Sequence, residues 1–146
     1  MTTLANAVTT VWNTFYSVIN SNVSDPKNRG IKWIHTEFPD ADIRSPSDYP
    51  RLTITSPDIT HRRLGMKGTN AEFMIDIGIH VTRKETLDSL SDSVINAINT
   101  NLDTFRQNLI YSVNLASSAT GTIDRGSFKE HYKTLSYIAT FFFRRG

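Results

Sequence analysis

The chain contains no cysteine. A disulfide framework, thiolate metal sites and a cysteine nucleophile are thereby excluded. Net charge is equally scarce, since 16 Lys and Arg against 14 Asp and Glu leave only +2. Although the pI is near 9.0, so small a surplus does not announce a nucleic-acid binder. No run of about 18 apolar residues occurs, so no segment is expected to span a membrane. The opening residues MTTLANAVTT have no basic stretch ahead of an apolar core, and a secretory signal is not expected. Asn22-Val23-Ser24 matches the glycosylation sequon, which without a secretion signal reads as chance.

What is present describes an ordinary globular chain. Its 146 residues are 38% hydrophobic and 21% charged. They fit a single domain over 1–146 that buries roughly 70% of its unfolded surface. Leu4, Val8, Val11, Phe15 and Val18 recur at helical spacing, and Trp12, Tyr16 and Ile19 widen the stripe. The helix is expected to end at Ser24-Asp25-Pro26, because proline disfavours helical geometry in the residue before it. Residues 27–50 read as an irregular loop punctuated by Pro39, Pro46 and Pro50, with KWIHTEF compatible with a short strand. A connection this long is often functional.

Strand patterns follow. RLTITS, from Arg51 to Ser56, alternates apolar and polar residues. In AEFMIDIGIHVTR, Phe73, Ile75, Ile77, Ile79 and Val81 point one way, and Met74, Asp76, Gly78 and His80 the other. One face is core and the other polar, as in an antiparallel sheet covered on one side. Leu87, Leu90, Val94, Ile98, Leu102 and Phe105 then hold helical spacing over about five turns. Two final strands are expected in LIYSVNLASS and HYKTLSYIATFFFRR. The second becomes apolar on both faces, as a central or covered strand would. The order α-β-β-α-β-β predicts an α+β fold, a mainly antiparallel sheet with a long β-hairpin packed against two helices.

Little in the sequence points to chemistry. His35, His61, His80 and His131 are dispersed. His80 shares a strand face with Asp76 and is expected to form a surface polar pair with it, since no third ligand suggests a metal. Ser91 and Ser93 lack the glycines of a nucleophile elbow. Glu37, Asp40 and Asp42 read as a solvated acidic turn. No enzyme activity, metal or cofactor is expected.

The stretch THRRLGMKGTN, Thr60 to Asn70, is the notable feature. A phosphate loop needs G-x-x-x-x-G-K-[ST] between a strand and a helix. Here the lysine precedes the second glycine and a strand follows. Gly65 and Gly68 suit a turn, so the stretch reads as a hairpin tip carrying His61, Arg62, Arg63 and Lys67. Those cations could meet phosphates, but no aromatic residues interleave with them as in single-strand binders.

The whole pattern resembles the tail terminator (tail completion) proteins of long-tailed phages and related viruses or prophages. The resemblance is carried by YPRLTI after a proline-punctuated loop, by a glycine-bearing tip, by AEFMIDIGIHVTRKETLDSLSDSVINAI running from strand into helix, and by HYKTLSYIATFFFRR. It implies a structural virion protein that forms a hexameric ring, caps the tail tube, ends its polymerisation and offers a surface to the head connector. It implies as partners further copies of the chain, the tail tube protein and the head–tail connector protein, with non-specific DNA contact in the lumen and no membrane. The expected location is the tail or neck of the virion, and the host cytoplasm during assembly. The hairpin-tip residues become candidates for the partner interface. Trp12, Tyr16, Trp33 and Phe142 become candidates for contacts between subunits. Two alternatives stand beside this reading. One is a head–tail connector (neck) protein sealing the DNA channel, which resembles terminators in fold. The other is a small monomeric nucleic-acid-binding module, marked by steeply salt-dependent binding.

Overall fold

The alternation in residues 71–81 is realised as an interior strand of a six-stranded sheet. The computed structural model describes the backbone of residues 4–39, 43–64 and 68–144, and the side chains of 6–39, 43–59 and 70–142. Helix α1 (Leu4–Asn22) is followed by β1 (Ile34–His35), β2 (Arg51–Ile54), β3 (Asp58–Leu64) and β4 (Gly68–Val81). Then come α2 (Lys84–Thr100), α3 (Leu102–Gln107), β5 (Ile110–Asp124) and β6 (Lys129–Arg144). The sheet order is β1-β2-β4-β6-β5, and β3 also pairs with β4. All pairings are antiparallel except β1 with β2. The fold is α+β with a mainly antiparallel sheet, as expected.

The long first hairpin is present, but its outgoing arm is divided. β2 pairs with Ile77 to His80 and β3 with Thr69 to Met74, along the same side of β4. Between them Pro57 has no N–H to give the ladder. Thr55 bridges the gap instead, because its N–H donates to the Asp76 carbonyl and its Oγ1 accepts from the Asp76 N–H. The Ile54 carbonyl at the break accepts a 2.8 Å hydrogen bond from Trp12 Nε1.

The expected second helix is two helices, making three α-helices among the described residues. Asn101 leaves helical geometry (φ −119, ψ 29), and its side-chain amide donates to the Ala97 carbonyl at 2.7 Å. Such local bonding offers the backbone an alternative to the next helical turn. From α3 the chain enters β5 through Leu109, held in the left-handed region at φ 67, where a branched side chain is strained. KWIHTEF yields only the two residues of β1.

The core lies between the helices and one sheet face. Phe73, Ile75, Ile77 and Ile79 of β4 are buried with Leu135, Tyr137, Ala139 and Phe141 of β6. Val11, Phe15 and Ile19 of α1 and Leu87, Val94 and Ile98 of α2 cover them. Each large apolar side chain taken out of water stabilises the fold by about 1.5–3 kcal/mol. Phe15 meets Phe105 edge-on at 4.9 Å and tilts against Tyr137 at 6.0 Å.

Tyr137 places a hydroxyl in this apolar layer without a hydrogen-bond partner. Burial pushes its pKa up to about 12, so it stays protonated. An unmet buried hydroxyl costs about 1–3 kcal/mol. Tyr137→Phe is therefore expected to keep or raise stability in urea denaturation by up to about 2 kcal/mol; a clear loss would show that the hydroxyl has a partner.

Candidate partner interface

Among the described residues no helix packs on the second sheet face. Its rows run Asn70–Phe142, Met74–Ile138–Asn114, Asp76–Ser136–Ser117 and His80–Tyr132–Gly121. Small polar side chains dominate, with Met74 and Ile138 at the centre. Met74 is exposed and Phe142 half-buried. Asp76 accepts a 2.6 Å hydrogen bond from Ser136 Oγ.

The expected pair of His80 with Asp76 does not form. A strand rises about 3.3 Å per residue, so positions four apart lie about 13 Å from each other. His80 Nδ1 instead meets Glu130 Oε2 at 2.9 Å. Glu130 is fully buried and also accepts from the Tyr49 hydroxyl at 2.5 Å and from Arg125 Nη2 at 2.9 Å. Phe38 lies 4.4 Å from the His80 ring, with the Arg125 guanidinium 5.1 Å above Phe38. Tyr49 meets Phe128 edge-on at 5.6 Å. This polar knot fastens part of the 27–50 loop over one end of the open face. Nothing in the local sequence of Glu130, set among RGSFKEHYK, distinguishes it from a solvated turn residue.

The same corner is tightened from the sheet edge. Arg51 is buried and donates to the Asp48 and Lys32 carbonyls at 2.8 and 2.9 Å, with His35 Nε2 2.9 Å from Nη1. Gly78 has no side chain because the space is taken. A Cβ there would stand 2.3 Å from Thr53 Oγ1 and 3.0 Å from His80 Nε2.

Burial pushes the Glu130 pKa up, but hydrogen bonds from His80 and Tyr49, with the nearby charges of His80 and Arg125, outweigh it and leave the pKa lowered. Burial, then the bond to Glu130, pushes the Tyr49 hydroxyl far above its ordinary 10.

The residues singled out from the sequence are scattered. His61, Arg62 and Arg63 sit in β3 opposite Glu72, Ala71 and Asn70; their side chains, and all of Lys67, lie outside the described residues. So do Asp40 and Asp42. Trp33 is a core residue at 7% exposure. Trp12 and Tyr16 are half-buried and stack on each other at 5.1 Å. Trp12 borders a groove of about 240 Å³ with Val8, Asn13, Thr36 and Ser56. Phe142 lies on the opposite sheet face, so these four do not form one patch. The strand expected in LIYSVNLASS is present as β5, but it runs on to Asp124 and lies at the sheet edge, which sequence reading did not show; Tyr111 and Leu115 on it are 51% and 42% exposed.

No group of three or more His, Asp or Glu placed to hold a metal occurs among the described residues. No helix among them is long and apolar enough to cross a membrane. A groove of about 370 Å³ between the end of α1 and the start of α2 has Glu85 as the one titratable side chain among its lining residues. Ser91 and Ser93 spend their hydroxyls on the Leu87 and Ser89 carbonyls.

The fold and its open surfaces define an α+β scaffold that presents one bare sheet face and open strand edges. The sequence matches no family model and no curated protein. In structure it is similar to a chain of the "virion of native gene transfer agent (GTA) particle", with a TM-score of 0.59 at 8% identity. The correspondence covers 97% of this chain and 100% of that one. At that identity the likeness establishes a shared fold.

The knot around Glu130 gives a test with a defined sign. A carboxyl whose folded pKa is lowered contributes stability above its ordinary 4.5 and loses it as the pH falls through the folded value. Glu130→Gln is expected to cost about 2–4 kcal/mol at neutral pH and to flatten the decline in stability below pH 4.5. Urea titrations across pH check both; an unchanged acid profile would remove Glu130 from this role.

Proposed function

We propose that the chain is a structural virion protein that forms a ring on the end of a tail tube, stops its polymerisation and joins it to the head. The observation that carries this reading is the end-to-end correspondence with a virion chain, 97% of one and 100% of the other at a TM-score of 0.59. The tail-terminator pattern in the sequence supports the finer role. Its partners would be further copies of itself, the tail tube protein and the connector protein.

The mechanism is steric and interfacial. The ring binds the last tube ring through one surface, and its other surface cannot template a further layer. Heterologous contacts close such a ring when the rotation between neighbours closes. Repetition around the ring raises the effective concentration of weak contacts once one subunit has engaged. The basic arm, with His61, Arg62, Arg63 and Lys67, is the proposed contact with tube, connector or lumenal DNA.

That basic arm also favours a second reading, a neck protein sealing the DNA channel. Particles assembled without the protein separate the two. Overlong tails are expected for a terminator, and tails of normal length that fail to join heads for a neck protein. Replacing Arg62, Arg63 and Lys67 together with alanine is expected to leave the chain folded but weaken attachment at least about tenfold, equivalent to 1.4 kcal/mol or more. Co-sedimentation with tubes checks this, and undiminished attachment would remove the arm from the interface.

A further inference from the structure

The geometry points to a subunit contact made by strand addition, in which β5 of one copy pairs with β3 of the next. The proposal rests on the ring reading above and says how the ring is built. β5 pairs with β6 alone, and β3 with β4 alone, among the described strands. Each therefore offers a row of unpaired backbone N–H and C=O groups, a ready template for another strand. The remaining edge strand, β1, has two residues, too few to anchor a neighbour.

β5 lacks the usual protection. No Lys, Arg, Asp, Glu or Pro occurs from Ile110 to Ile123, although charges and prolines are how open edges are normally blocked. Its register shifts fall between Ile110 and Ser112 and between Leu115 and Ser117. From Ser117 to Asp124 the pairing with β6 runs without interruption, and the residues are small. That regular stretch of eight residues is long enough to take the seven residues of β3. Of the strand's side chains only Ile110 is fully buried, and those from Asn114 to Thr120 are exposed, so that stretch of the edge is accessible to a partner.

Strand direction selects the occupant. Across β3-β4-β6-β5 each neighbour is antiparallel, so β3 and β5 of one chain run in opposite senses. Placing β3 of a second copy beside β5, by rotation about an axis along the strands, continues the alternation. Pairing β5 with β5 across a two-fold axis also satisfies β5, but it ends at a dimer and leaves every β3 edge open. The heterologous contact satisfies both edges of each copy, and it closes only as a ring.

The absence of cysteine makes the contact directly testable in the full chain. Single cysteines at Thr122 or Ile123, which stand opposite Ile59 and Asp58 when Ser117 meets Leu64, are combined, in one chain, with Asp58→Cys or Ile59→Cys. Under oxidation at least one combination is expected to give a ladder of covalent multimers, while each single-cysteine protein gives none. Ser118→Lys with Ala119→Lys places like charge against Arg63 and Arg62 of β3 and is expected to weaken self-association at least about tenfold. The melting temperature of the dilute chain should not change; if the lysine protein misfolds, the smaller cysteine changes decide. A chain that stays monomeric at millimolar concentration, or β5 cysteines that cross-link to each other, would overturn the proposal. Rings that persist with both lysines present and no mixed cross-link would also overturn it, yet leave the ring reading standing. Tail-length measurements test the terminator role separately.

Discussion

The ladder between β4 and β6 is the interaction on which the rest of the molecule depends. All 14 residues of β4 are paired with β6, so two long strands far apart in sequence are fixed in one register. A slip of one residue would turn Phe73, Ile75 and Ile77 away from the helices and turn Met74, Asp76 and His80 inward. The alternation of β4 and the matching alternation of β6 exclude that slip together. Once they are joined, α1 and α2 have one apolar surface to cover. β2 and β3 then share the remaining side of β4, and β5 occupies the outer side of β6.

This arrangement separates a closed half from an open half. One face and one corner are consumed by packing, the face by apolar burial and the corner by the bonds around Glu130. The other face and the edges of β3 and β5 are left bare. A domain organised this way has no deep recess with paired titratable groups among its described residues, and its free surface suits broad protein contacts. The fold itself is shared with a gene transfer agent virion chain.

Elements with strong internal periodicity were legible in the sequence. The apolar stripe of α1, the alternation of β4 and the two-sided apolar end of β6 each follow from spacing alone, and β6 lies where that end required, between two strands. The stop at Asn101 was not legible, because Leu102 and Phe105 keep the helical spacing across it. The Glu130 knot was invisible for a different reason. Its members, Phe38, Tyr49, His80, Arg125 and Glu130, come from separate segments, and only folding brings them together. Trp33 was readable as a large aromatic in a loop, but not as one enclosed by the core. The basic character of the β3 arm was plain from composition, whereas the vulnerability of β5 depends on sheet order, which spacing does not disclose.

The knot around Glu130 has a consequence for how the molecule opens. It ties Phe38 and Tyr49 of the 27–50 loop and the turn between β5 and β6 to one carboxylate. Neither segment can lift away without stranding the charge that holds the other. Partial unfolding in such a case involves the two segments as one cooperative unit, not as two independently fraying loops. The proposed outer edge, β5, runs directly into that turn. Fluctuations of the loop would thus be felt at the strand that meets a neighbour, and docking there would quiet a loop on the far side of the sheet.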